Sequence, residues 1–263
     1  MGKQNHLLIY ILKNMVDKKK IVVFSGAGLD RESGILTFRD CKNGLWNNYK
    51  IDEVATPEGW TKDKSKVLDF YNQRRRELPN VKPNEAHRAL LRLEEDYEVV
   101  HITQNVSDLL ERAGCSNVYH LHGELTKART SFGMGNPHLV RSQDAIDIGY
   151  NDINVGDLTE DGYQLRPHIV WFEEYPFHVE KAYQAFRNAD IILIVGTSLN
   201  ITYTISFFNE LKEDARVYYI DPNPSLILTQ DDVPINLEYI KKKAGKGVSS
   251  IVKKLVKEAI KDK

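Results

Sequence analysis

The sequence predicts an α/β fold: a Rossmann-like open parallel sheet with an inserted smaller module. Three observations carry this. Short, mostly β-branched apolar runs recur, the clearest being IVVF at 21–24 and IILIV at 191–195, and each leads into a glycine, as buried parallel strands tend to do. Amphipathic helical patterns separate these runs, which is the alternation of an open α/β sheet. Two long stretches, 41–82 and 125–165, interrupt it and exceed the length of simple connections.

Along the chain, LLIYIL at 7–12 is interrupted by KNMVDKKK. It is too short to span a membrane and lacks a small-residue cleavage site, so an amphipathic helix in a cytoplasmic protein is expected. IVVF then runs into SGAGLDRESGILTFRD. Residues 41–82, with Trp46, Trp60 and the basic helix KVLDFYNQRRREL, open the inserted module. KPNEAHRALLRLEEDY reads as a helix with Asn84 as its N-cap. YEVVHIT (97–103) and RVYYI (216–220) are weaker strands. Residues 125–165 are rich in Gly, Asn and Asp without a strong period, and RPHIVWFEE (166–174) is extended. VEKAYQAFRNA (179–189) and GVSSIVKKLVKEAI supply the remaining helices. The expected division is 1–40, 83–124 and 166–263 for the Rossmann-like domain, with 41–82 and 125–165 forming the module.

With 36 basic and 37 acidic residues, the chain of 263 has no global field to favour nucleic acid or an acidic membrane surface. Its two cysteines, Cys41 and Cys115, cannot build a disulfide framework or a four-thiolate zinc site.

Candidate site residues cluster where strands end. Gly26 and Gly28 would let a phosphate approach the backbone, with amide N–H groups donating to it; a tight turn without ligand fits equally well. Gly34 falls six residues after Gly28, so the dinucleotide fingerprint of hydride-transfer enzymes is not met. Phe38 and Arg39 fall on an expected flap, suited to covering a sugar or phosphate. Gln104 and Asn105 stand at a strand end, facing a ligand crevice. In HLHGEL, alternation would point His120 and His122 to one face, and Gly123 suggests close approach of another backbone. GTSLN at 196–200 offers hydroxyl and N–H groups for phosphate. The 166–174 segment suits pairing with a peptide strand.

Read in order, GAGLDRESGILTFRD, TQNVSDL, HLHGEL, RPHIVWF and GTSLN resemble the sirtuins, the NAD-dependent protein lysine deacylases, over roughly residues 20 to 250. The resemblance implies that the acyl group passes to ADP-ribose with release of nicotinamide, with NAD as co-substrate and an acyl-lysine protein or peptide as partner. It places Gly26, Ala27 and Gly28 at the NAD pyrophosphate, and Phe38 and Arg39 in the cofactor loop. Gln104 and Asn105 match the polar pair near the nicotinamide ribose, Asn105 orienting the ribose or a water, and His122 matches the general base. Gly196, Thr197 and Ser198 match phosphate and ribose contacts, Asp221 and Asn223 the adenosine ribose, and Lys246 the adenine region. Val170, Trp171 and Phe172 match the stretch that pairs with the acyl-lysine peptide. Tyr71 and Arg74 match a Tyr-x-x-Arg pair of the branch that takes acidic acyl groups; three residues apart on a helix, they share a face on which a guanidinium can grip a distal carboxylate.

The chain also departs from that pattern. It lacks the two Cys-x-x-Cys pairs of most sirtuins, so no zinc is expected, and His138 with its neighbours makes no convincing replacement. Asp30 stands where the family has serine, bringing a carboxylate toward the pyrophosphate unless Arg31 or another cation intervenes. Ser107 stands where the family has an aspartate that holds the nicotinamide amide, which keeps it a cofactor contact of shorter reach. Glu173 replaces the glycine of a Phe-Gly-Glu turn, ITYTISFF at 201–208 lacks the usual proline and alanine, and Leu36 replaces a proline. These departures leave two further readings beside deacylation: an NAD glycohydrolase or ADP-ribosyltransferase, or a binder of NAD or ADP-ribose with little turnover.

Overall fold

A six-stranded parallel sheet organises the larger part of the molecule. It contains β1 (Lys20–Ser25), β2 (Glu98–Thr103), β3 (Val118–His120), β7 (Ile191–Val195), β8 (Arg216–Ile220) and β9 (Asn236–Ile240) in the order β3-β2-β1-β7-β8-β9. The structure, a computed structural model, describes residues 18–35, 49–133, 144–225 and 236–261. The expected N-terminal helix, Leu36, Phe38, Arg39, Cys41, Trp46 and His138 lie outside them.

All five residues of β7 are buried, as are five of the six in β1, which requires cover on both faces. Alternate residues supply it. Ile21, Val23, Leu193, Val195 and Ile220 join one core, packed by α5 (Glu85–Leu93) and α9 (Ala244–Lys261). Val22, Phe24, Ile192, Ile194 and Val217 join the other, beneath α7 (Val179–Asn188) and the pair Phe207 and Phe208. A two-residue period divides a strand between two layers. The α5 cap is the one the sequence predicts: the Asn84 side chain accepts from the amides of Ala86 and His87.

A smaller unit carries a three-stranded antiparallel sheet, β5-β4-β6, from Ile146–Asp147, Gly123–Thr130 and Leu165–Ile169. Its core joins Val54, Trp60, Val67, Phe70 and Tyr71 to Leu125, Ala128, Ile153, Ile169 and Trp171. The helices on this side are α2 (Ile51–Val54), α3 (Pro57–Lys62) and α4 (Lys64–Glu77). The core thus runs past 165 to include Ile169 and Trp171. Charge is buried in it as well. Arg129 and Arg166 both donate to the Glu174 carboxylate, at 2.8 and 2.7 Å, and the Arg166 guanidinium lies 3.2 Å over the Trp171 ring. Strand β4 escapes the sequence reading because GELTKART turns Arg129 inward beside Leu125 and Ala128, and its register shifts between Glu124 and Ala128.

The order places β1 beside β7, where the connections leave in opposite lateral directions. In such sheets a crevice opens at the carboxyl ends of those strands.

Candidate active site

At that crevice two loops touch backbone to backbone. The amide of Gly26 donates to Val195 O at 3.0 Å, that of Gly28 to Gly196 O at 2.8 Å, and that of Leu29 to Gly26 O at 2.9 Å. A Cβ on Gly28 would stand 2.6 Å from the Cα of Gly196, whose own φ is +60°. These bonds stitch α1 (Ala27–Asp30) to the end of β7. The lack of a side chain at Gly26 and Gly28 lets the loops meet. Half-buried Ala27 lies between them.

Asp30 is 3% exposed. Its Oδ2 accepts from the Ser107 hydroxyl at 2.6 Å, and its Oδ1 lies 3.1 Å from Nε2 of His87. The Asn84 backbone amide donates to His87 Nδ1 at 3.2 Å. That nitrogen is therefore the acceptor, and Nε2 carries the proton given to Asp30. The carboxylate faces two uncharged donors. Arg31 is exposed. Ser107, expected at the nicotinamide amide, spends its proton on Asp30, so only its lone pairs remain for a ligand. The sequence reading missed His87, which looks like an ordinary cap residue.

After β2, Gln104 and Asn105 bring donors to the crevice. Gln104 Oε1 accepts from the Thr197 hydroxyl at 3.0 Å, while Gln104 Nε2 and Asn105 Nδ2 are buried without a hydrogen-bond partner. Unpaired buried amides are costly and call for a ligand. Thr197 is held in turn, its carbonyl accepting from Tyr219 Oη at 2.7 Å. Ser198 is half-buried beside it. This donor set fits the hydroxyl and phosphate oxygens of a dinucleotide.

His120 and His122 do not share a face as expected, because Leu121 and His122 form a turn between β3 and β4 (Gly123–Thr130). His120 has acceptors on both sides, Asn105 O at 2.7 Å and, from α6 (Leu109–Ala113), Glu111 Oε1 at 2.8 Å. Burial opposes its charge, but Glu111 outweighs burial and raises its pKa. His122 has one acceptor, Gln104 O at 3.0 Å from Nδ1, and the Tyr203 hydroxyl at 2.9 Å from Nε2. Nδ1 therefore carries the proton and Nε2 the lone pair. Burial pushes its pKa down to about 4. His120 thus has an acceptor for each ring proton, whereas His122 keeps a lone pair on Nε2. The Gly123 expectation holds: a Cβ there would meet His168 O at 1.9 Å.

The remaining positions lie along the same strand ends. Asp221 follows β8 and accepts the Asn223 amide at 2.7 Å, and Asn223 itself is exposed. Lys246 is exposed on the first turn of α9, whose Gly245 amide donates to Glu32 at 2.7 Å.

On the substrate side, the amides of Val170, Trp171 and Phe172 donate to His122 O, Glu174 Oε2 and Ala55 O. The Trp171 ring is 2% exposed and packs 5.7 Å from Trp60, while Phe172 is exposed. Trp171 Nε1 donates to Tyr71 Oη at 3.0 Å. Tyr71 is therefore a core member, and burial pushes its phenol up to about 12. Arg74 is half-buried, its guanidinium 3.2 Å over the Phe70 ring, with Nη1 donating to Phe70 O. Among the described residues, Glu94, His101 and Cys115 alone gather metal-ligating atoms, within 4.8 Å. Glu94 already accepts from Ser116 and His101 there.

The family model described as the Sir2 family matches residues 26–203. A protein of Helicobacter pylori named NAD-dependent protein deacylase is 44% identical over 241 residues, covering 92% of this chain and 99% of that protein. A protein of the same name from Bacteroides thetaiotaomicron is 42% identical, covering 90% and 98%. Among solved structures, an ADP-ribose complex of a mutant Sir2 homologue superposes with a TM-score of 0.77 at 33% identity, covering 95% of this chain and 96% of that one. A Sir2 homologue–NAD complex gives 0.76 at 32% identity, covering 95% and 94%.

Proposed function

The chain belongs to the Sir2 family, and from that premise we propose that it is an NAD-dependent protein lysine deacylase with His122 as its general base. The observation that carries this reading is the pair of bonds on His122. Nδ1–H is held by the Gln104 carbonyl, so Nε2 presents a lone pair at the mouth of the sheet. Burial keeps the ring neutral at physiological pH, so that lone pair carries no proton there.

NAD, when bound, supplies a sugar carbon made reactive by a good leaving group. The chain's residues do the rest. Gln104 Nε2 and Asn105 Nδ2 donate to sugar oxygens, which gives each buried amide its missing partner. Gly26, Ala27, Gly28, Gly196, Thr197 and Ser198 line the phosphate path, and Asp221, Asn223 and Lys246 the adenosine end. Phe38 and Arg39 belong to the same proposal through the family resemblance. Ser107, through its lone pairs, receives an amide N–H. His122 takes up, at Nε2, the proton that a ribose hydroxyl gives up.

The finer assignments belong to the same proposal. Arg74 receives the distal carboxylate of an acidic acyl group such as succinyl, Tyr71 fixing the wall behind it. The unit built on 41–82 and 125–165 is an inserted module, held without zinc by packing and by the Arg129–Glu174–Arg166 network. With two cysteines in the chain, a cytoplasmic setting accompanies the proposal. Among the described residues no helix is long and apolar enough to cross a membrane.

The test is incubation with NAD and peptides carrying acetyl-, succinyl- or unmodified lysine, following nicotinamide and O-acyl-ADP-ribose. Acyl-dependent release of both supports deacylation. Nicotinamide release without an acyl peptide indicates a glycohydrolase or transferase instead. Protection from thermal unfolding by NAD without turnover indicates a binder.

A further inference from the structure

We propose that Tyr203 is a catalytic residue of this site, passing the proton of a bound ribose hydroxyl to Nε2 of His122. The inference rests on the reading of His122 as base and adds a group that no part of that reading uses.

An imidazole nitrogen has one lone pair. On His122 that lone pair is Nε2, and the phenol of Tyr203 fills it at 2.9 Å. A hydroxyl entering the crevice therefore cannot give its proton directly to His122 while the phenol stands there. Either the ring leaves or the proton goes through it.

The packing favours passage. Tyr203 sits on α8 (Thr202–Ser206), its ring edge-on to Phe207 with centroids 5.9 Å apart. Phe207 is fully buried and in edge or tilted contact with Phe24 and Phe186 beneath the sheet. Thr204 on the same turn is also fully buried and donates to Ile201 O at 2.7 Å. From the other side the Gln104 carbonyl pins the imidazole. Both rings are set in place, and the phenol oxygen still has lone pairs to accept from a second hydroxyl.

The step balances without any further reactant. The ribose O–H bond breaks as its proton bonds to Tyr203 Oη. The original Tyr203 O–H bond breaks as that proton bonds to His122 Nε2. The electron pair of the ribose O–H bond stays on the ribose oxygen, and the imidazole gains the charge. Tyrosine is a neutral phenol before and after. That matters because burial drives the Tyr203 phenol well above its ordinary range, so it serves poorly as an anion and well as a relay.

Two measurements decide it. In nucleotide-free protein, nitrogen NMR of the His122 ring follows its protonation. The groups that act on His122 are burial and the Gln104 carbonyl, together with the phenol. Donation to the lone pair favours neutral imidazole, so Tyr203→Phe should raise the titration midpoint. An unchanged midpoint means the contact is absent in solution and overturns the proposal. In turnover, Tyr203→Phe should lower kcat for deacylation by roughly 100-fold, leaving the NAD-induced rise in melting temperature intact. 3-Fluorotyrosine at 203, which keeps ring and hydroxyl, should recover most of the rate. A Tyr203→Phe rate equal to or above wild type makes the phenol a bystander or a stopper, and the relay is wrong. Failure of 3-fluorotyrosine to recover the rate also rejects it. Full turnover by His122→Ala removes the base reading itself, an outcome distinguishable from the loss of Tyr203 alone.

Discussion

The Ser107 hydroxyl donates to Asp30 at 2.6 Å across the base of the crevice, joining the loop after β1 to the loop after β2. The carboxylate is 3% exposed and takes its second donor, His87, from α5. Three elements thus meet on one side chain. The sequence marks Asp30 and Ser107 as two separate departures from the sirtuin pattern, but in the fold they are one pair with its members exchanged.

The exchange makes a prediction. Asp30→Ser alone leaves a buried His87 N–H without its carboxylate, and Ser107→Asp alone sets two carboxylates side by side. Each should cost about 1–3 kcal/mol in urea unfolding. The double variant restores one carboxylate and one hydroxyl, so it should recover part of that loss, with a coupling of roughly 1 kcal/mol. NAD-dependent thermal shifts should follow the same order. Additive losses would show that the two side chains are independent.

Arg74 and Tyr71 should separate in their effects. Arg74 is half-buried on the α4 face, whereas Tyr71 accepts the indole N–H of buried Trp171 at 3.0 Å. Arg74→Met removes the charge and keeps much of the packing over Phe70. It should reduce desuccinylation by at least 10-fold relative to deacetylation, since a hydrogen bond to a charged group contributes roughly 1.5–3 kcal/mol. Tyr71→Phe strands the Trp171 donor and should cost about 1–3 kcal/mol of stability. Equal loss of both activities in Arg74→Met would remove the acyl-carboxylate role.

The strand framework is legible in the sequence because its signal is local. Every residue of IILIV is buried, so composition alone marks the strand. Asn84 is legible for the same reason, since a cap is read within three residues. Strand β4 is not, because its inward positions include Arg129, which is at home there only once Glu174 arrives from 45 residues away. The histidine pair shows the limit most clearly. HLHGEL does not say that one ring meets Glu111 and the other Tyr203, and those partners, not the spacing, decide which ring has acceptors for two protons and which keeps a lone pair. Tyr203 is 81 residues from His122 and carries no local mark of its contact.

Glu173 occupies a turn that asks for glycine. Its φ is +72° and its side chain is exposed. A left-handed conformation costs a residue with a Cβ roughly 1–2 kcal/mol, offset in part by the extra freedom glycine has when unfolded. Glu173→Gly should therefore stabilise the fold by about 0.5–1 kcal/mol, raising the melting temperature by about 2 °C. A drop in melting temperature would mean that the carboxylate has a role the turn geometry does not reveal.

Acid sensitivity should trace to His168. Its ring stacks on Phe177 with centroids 4.6 Å apart and planes 10° apart, and it is 1% exposed. Burial, then Arg129, Lys127 and Arg166, push its pKa down to about 3. The unfolded chain takes up that proton near pH 6.5 and the folded chain does not. Stability is therefore fully present above about pH 6.5 and is lost as pH falls toward 3, at about 1.4 kcal/mol per pH unit while only the unfolded form is protonated. His122, also depressed by burial, adds to the loss down to about pH 4. His168→Phe keeps a flat ring against Phe177 and removes the ionisable nitrogen. Urea unfolding at pH 7.5, 6.0, 5.0 and 4.5, values chosen to span roughly the unfolded histidine titration, should give a shallower slope in the variant, by about 1 kcal/mol per pH unit below 6. Parallel curves for the two proteins would place the acid loss elsewhere.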